Sequence, residues 1–115
     1  MSKRRVVITG MGIVSPVGSR LADAWNNVCE GNSGISLIDD FDVSAFPTRI
    51  AGQVKDFDVD SYLSSKAQRQ NDPFVHYGVA ATVDAIQDAG LEITEENGHL
   101  IGVAMGAGIG GIKYI

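Results

Sequence analysis

Two segments of this 115-residue chain are apolar on both faces, and each runs straight into glycine. Val6, Val7 and Ile8 precede Gly10 and Gly12; residues 100–105 precede Gly106, Gly108, Gly110 and Gly111. A strand with no polar face is buried on both sides, as in a parallel sheet covered by helices. Such strands need neighbours on both edges and helices on both faces. The chain offers two of them and two long helical patterns, too few to close a parallel sheet. It therefore reads as α/β and as the front part of a longer protein, residues 1–115 forming one incomplete domain.

Leu21, Ala24, Trp25, Val28 and Cys29 recur at helical spacing, with Asp23, Asn26, Asn27 and Glu30 opposite. This pattern predicts an amphipathic helix, stopped by Gly31. Cys29 lies on its apolar face and is expected to be buried and inert. Residues 32–57 are irregular, with a strand pattern at residues 49–54. Phe41, Phe46 and Phe57 are too widely spaced for one element and are expected to anchor this excursion to the core. Residues 62–70 predict a short helix. Asp72-Pro73 then marks a helix start, because a carboxylate caps free N–H groups and proline suits the first helical position. That helix carries Phe74, Tyr77, Gly78, Ala81 and Ala85 with Val79, Val83 and Ile86, and ends at Ala89-Gly90. So many small residues predict close packing on more than one side.

Composition removes several functions. The net charge is −5, so counterion release on nucleic acid is not available as a driving force. The single cysteine forms neither an internal disulfide nor a thiolate cluster, which fits a reducing cytoplasm. Lys3-Arg4-Arg5 before an apolar run imitates a secretory signal. Thr9, Gly10 and Gly12 interrupt that run, and a strand ending in a glycine turn accounts for it better. No apolar run approaches the ~20 residues that span a bilayer. Asp39-Asp40 and Glu95-Glu96 read as exposed charges, His76 and His99 as structural or solvated. No spacing suits a metal, and no cofactor is expected.

The two glycine turns invite a phosphate-binding reading. Gly106, Gly108 and Gly111 spell G-x-G-x-x-G after a strand pattern, which would make the chain a small dinucleotide-binding module. That fingerprint also needs a following helix and an acidic residue about 20 positions on, and the sequence shows neither. In the first turn Ser15 stands where the third glycine belongs, and Pro16 delays helix entry. Close backbone packing is the preferred reading of both turns.

Four stretches in order, RRVVITGMGIVSPVG, a Trp with a downstream GNSGIS, FDVSAFPTRIAGQVKDF and IGVAMGAGIGGI, resemble the amino-terminal part of the β-ketoacyl-acyl-carrier-protein synthases. The likeness is strongest to the type II condensing enzymes of fatty-acid elongation. The resemblance implies a thiolase-like fold, two similar halves in an α-β-α-β-α layering, with only the first part of the amino-terminal half present here. It also implies a cytoplasmic, dimeric acyltransferase acting on acyl and malonyl thioesters of acyl carrier protein. In this family the catalytic Cys and two His come later, so the chain alone is expected to be inactive. Polyketide ketosynthases and non-catalytic chain-length-controlling partners share much of the pattern and are the alternatives.

Two family roles map onto residues present. Ile109, flanked by Gly108 and Gly110, matches the bulky gate of the acyl pocket. Ala107 replaces the serine common in close relatives. Lys66 and Arg69 match carrier-docking positions; on a helix they share one face, and carrier proteins are acidic. Gln70 stands where relatives often have a third cation.

Overall fold

Among residues 3–111, which the computed structural model describes, the regular elements are α1 (Leu21–Cys29), β1 (Ile35–Leu37), β2 (Ile50–Gly52), α2 (Ser65–Gln70) and α3 (Pro73–Asp88). Short 3-10 turns occupy Val59–Ser61 and Gly98–Leu100. The longest element, α3, begins with Pro73 and ends before Gly90, whose φ of +59° is the left-handed conformation that closes a helix.

The rest of the chain is arranged around α3. On one face, residues 9–12 lie directly on the helix backbone. A Cβ on Gly12 would overlap the Ala81 carbonyl oxygen, and one on Gly10 would overlap that of Ala85. The Met11 N–H donates to Asp88 Oδ2 at 2.9 Å, fixing the crossing. Ala81, Ala85, Asp88 and Ala89 share this face by their spacing. On another face, the Tyr62 hydroxyl lies 3.0 Å from both carboxylate oxygens of Asp84. Burial, and then the Asp84 carboxylate, push the Tyr62 pKa above its ordinary value. Phe57 stacks on Tyr62 with ring centroids 5.9 Å apart and meets Tyr77 edge-on at 5.2 Å. Ala80, on the face that Tyr77 and Asp84 share, is fully buried.

Preceding α1, Ser15 and Gly18 exchange backbone hydrogen bonds of 3.0 and 3.1 Å. The Asn27 side chain donates to the Val17 carbonyl at 2.7 Å, and Ala24 is buried against Gly18. The hairpin pairs Ile35 with Gly52, Ser36 with Ala51 and Leu37 with Ile50. Its inward positions are Ser36 and Ala51, while Ile35, Leu37 and Ile50 face outward and are exposed.

Several sequence expectations are corrected. Residues 6–8 and 100–105 are not paired strands: no described strand lies beside them, and Val6 (89% exposed) and Leu100 (77% exposed) stand open to solvent. Backbone hydrogen bonds, not apolarity, make a strand, and these segments find no partner for theirs. On α1, the burial stripe is centred on Ala24, so Trp25, Val28 and Cys29 are exposed. Phe41 and Phe46 are also exposed and touch each other edge-on at 6.1 Å, whereas Phe57 is the anchor that was expected. Asp72 occupies the N-cap position of α3 but its side chain makes no capping hydrogen bond; the cap that forms is at α2, where Ser64 Oγ accepts from the Ala67 N–H at 3.3 Å. The strand β1 was not expected, because Ile35-Ser36-Leu37 is too short to show a period. The helix expected at residues 62–70 begins later, at Ser65, behind the 3-10 turn.

The accessible surface is 9371 Å² for a mass of 12.2 kDa. A closed domain of this mass exposes about 6,100 Å². The radius of gyration, 17.5 Å, likewise exceeds the ~13 Å of a compact chain of this length. These residues do not enclose a core of their own. The isolated polypeptide is therefore expected to melt without a cooperative calorimetric transition and to bind a hydrophobic dye. A sharp transition of a monomer contradicts this. In a complete protein carrying the segment, Gly12→Ala forces a methyl into the Ala81 carbonyl and is expected to cost about 1–3 kcal/mol in chemical denaturation; a change below ~0.5 kcal/mol contradicts the crossing.

Candidate pocket turn and basic helix

Residues 101–107 run past α3, leaving an apolar cavity of about 630 Å³ along the helix. Val14, Phe74, Gly78, Val79, Met105 and Ala107 are among its walls. The Met105 side chain lies over Gly78, at ordinary contact distance (3.6 Å) from where a Cβ would stand. The segment then turns through glycine. Gly106 and Gly108 have open space around them, and Ile109 is 75% exposed. Gly110 and Gly111 differ. A Cβ on Gly110 would stand about 2.5 Å from Phe74 Cζ, and one on Gly111 would overlap the Asp72 carboxylate. Gly111 also has a φ of +68°, which L side chains rarely adopt. Ile112, the last residue of the quoted glycine stretch, and any helix that a dinucleotide fingerprint would need lie outside the described residues.

The basic helix is built by its polar inner side. Gln68 donates to Asp60 Oδ1 and to the Leu63 carbonyl, each at 2.8 Å, drawing α2 onto the preceding turn. Asn71 donates to the Ala67 carbonyl at 2.8 Å, closing the last turn. Lys66 and Arg69 are left exposed, as their spacing predicts. The acidic neighbour Asp60 is engaged by Gln68.

The structure thus brings Gly108, Ile109 and Gly110 to the start of α3. Lys66 and Arg69 stand on the helix separated from it by two residues. Sequence reading missed Phe74 and Asp72 as the seats of the glycine turn. Asp72-Pro73 was legible only as a helix start, and nothing in the spacing links it to residues 38 positions later. Cys29 is exposed, and His76 is half-buried with an Nε2 that has no hydrogen-bond partner. Among the described residues no group of His, Cys, Asp and Glu could hold a metal. Asp42 and Asp58 titrate low, held by Ser44 and Ser61 respectively, away from both features. No described helix is long and apolar enough to cross a membrane.

Residues 3–114 match the family described as beta-ketoacyl synthase, N-terminal domain. The chain is 55% identical over its full length to 3-oxoacyl-[acyl-carrier-protein] synthase 2 of Vibrio harveyi, of which it covers 28%. It is 52% identical to the protein of the same name from Vibrio cholerae and 48% identical to that from Coxiella burnetii, again over all 115 residues and 28% of each relative. Its fold is similar to that of a solved ishigamide ketosynthase/chain length factor, with a TM-score of 0.72 at 32% identity over 84% of this chain and 23% of that one. The chain spans little more than a quarter of the length of these curated relatives. Ordered motifs, full-length identity and a shared thiolase-like α/β arrangement agree, and the chain belongs to the beta-ketoacyl synthase N-terminal domain family.

Proposed function

We propose that this chain is the amino-terminal part of a 3-oxoacyl-[acyl-carrier-protein] synthase acting in fatty-acid elongation, with residues 1–115 an incomplete ketosynthase domain. The observation that carries this is 55% identity, without a break in coverage, to a synthase of that name. The reaction of such a synthase transfers an acyl group to a cysteine thiolate. Malonyl-carrier then loses carbon dioxide, and the resulting carbanion attacks the thioester carbonyl and expels the thiolate. That chemistry needs an activated thiol and an oxyanion hole. Neither Cys29 nor the two histidines here fits the role, and these 115 residues alone are proposed to be inactive. The full-length protein is proposed to be a cytoplasmic homodimer.

In this reading the segment contributes a gate and a landing site. Ile109 projects from a turn whose Gly106 and Gly108 are unencumbered, so its side chain can vacate or fill apolar volume as an acyl chain enters. Lys66 and Arg69 present two cations from a chain of net charge −5 and would attract an acidic carrier.

Both roles are testable in a full-length synthase carrying this segment. Replacing Lys66 and Arg69 with Glu is expected to raise KM for the acyl carrier at least about tenfold while leaving kcat within about twofold, with the gap narrowing at high salt. Unchanged carrier-dependent turnover removes the docking role. Ile109→Trp overfills the gate and is expected to lower kcat/KM for tetradecanoyl-carrier by about 10–200-fold more than for hexanoyl-carrier. Equal losses for the two chains speak against gating.

A further inference from the structure

We infer that Phe74 is a positioning residue for the gate and thereby a determinant of acyl-chain length. This rests on the reading of Ile109 as that gate. Two independent features of the α3 start carry it. The Phe74 ring lies where a side chain on Gly110 would have to be: its Cζ, Cε2 and Cε1 stand 2.5, 2.7 and 2.8 Å from the position of a Cβ there. The glycine backbone is therefore seated directly on the ring. Beside it, Asp72 holds the N-cap position, and its main-chain carbonyl accepts from the Val75 N–H at 2.9 Å and the His76 N–H at 3.3 Å. Its carboxylate does not bond to the helix and lies instead against Gly111.

The turn is thus held asymmetrically. On the carboxy-terminal side of Ile109, Gly110 and Gly111 rest on Phe74 and Asp72, both anchored by the first turn of a sixteen-residue helix. On the amino-terminal side, Gly106 and Gly108 have nothing within 4 Å of where a side chain would be. Movement of Ile109 pivots about the Phe74 contact and is taken up by residues 106–108. The size of the side chain at position 74 sets the height of that pivot. A shorter side chain lowers it and lets the gate sink away from an entering chain; a longer one raises it. Phe74 also lines the apolar cavity along α3, so the pivot and the pocket wall are one residue.

The test is the ratio of kcat/KM for tetradecanoyl-carrier to that for hexanoyl-carrier in a full-length synthase carrying this segment. A loss of folded protein scales both substrates equally and leaves the ratio untouched. Phe74→Leu withdraws Cζ and is expected to raise the ratio about tenfold. Phe74→Tyr adds a hydroxyl at Cζ, against Gly110, and is expected to lower it about tenfold. Phe74→Met restores reach with a flexible apolar chain and is expected to return the ratio to within about threefold of the parent. A ratio that stays constant across the three variants, or that moves in the same direction for Leu and Tyr, overturns the inference while leaving the synthase reading intact. A parent protein that condenses neither substrate overturns both.

Discussion

A contact between two backbones organises this segment. Where Gly10 and Gly12 cross α3, no side chain stands between the chain and the Ala81 and Ala85 carbonyls. Glycine on one partner and alanine on the other allow that distance, and the Met11 N–H reaching Asp88 gives the crossing its register. Larger side chains on either partner would lift the strand-like segment off the helix. The remaining contacts of α3 then follow from where its other faces point. Tyr62 and Phe57 grip the side bearing Tyr77 and Asp84, and the glycine turn is seated on the first turn. Small residues along α3 serve close approach rather than burial in a large core, and among the described residues the buried apolar side chains are Ala80 on α3 and Ala24 on α1.

The apolar residues outside these contacts are the complement of that arrangement. Val6, Val7 and Ile8, the outer face of the hairpin, Trp25 and Val28 on α1, and residues 100–105 all expose side chains of the kind that closed domains bury. Apolar surface on this scale marks places where other polypeptide belongs. Relatives of which this chain covers 28% account for it: the two apolar segments have the composition of central strands and meet no strand to pair with among the described residues. An unpaired backbone with apolar side chains is also a template for aggregation.

How far the fold is legible in the sequence depends on the range of each signal. Local signals read correctly: the span of α1, its stop at Gly31, the Pro73 start and Gly90 end of α3, and the strand at residues 50–52. The packing role of Gly10 and Gly12 was also legible, since Ser15 and Pro16 spoil a phosphate turn. Signals that depend on a partner misled. Val6 to Ile8 has strand composition but no strand, because pairing is a property of two segments. The apolar face of α1 predicts burial, but Trp25, Val28 and Cys29 stay exposed and only Ala24 on it is buried. Asp72 has the identity of a cap and uses its carboxylate elsewhere, since Gly111 lies beside it in space and far from it in sequence. The gate residues Gly108, Ile109 and Gly110 and the cations Lys66 and Arg69 came from family resemblance. Spacing alone gives Lys66 and Arg69 a common face and says nothing of what meets it.

The placement of charge fits the proposed role of this segment as a pocket wall. Groups that do acid–base or nucleophilic work need environments that move their protonation equilibria toward the task. Here the displaced groups are accounted for by local structure. Ser44 and Ser61 hydrogen-bond Asp42 and Asp58, and burial beside Asp84 raises the Tyr62 phenol above its ordinary range. Each of these contacts ties a loop or turn to its own neighbourhood, and none faces the apolar cavity along α3. The cavity walls are mostly aliphatic and aromatic, with Thr82 and Tyr77 among them, and the turn at its end carries an aliphatic side chain between glycines. Such a surface recognises hydrocarbon by volume and exclusion of water. Lys66 and Arg69 sit apart from it on α2, exposed to solvent. In the proposed reading, binding a hydrophobic chain and attracting an acidic partner demand opposite environments, and the two-residue link between α2 and α3 keeps the two proposed features close but separate.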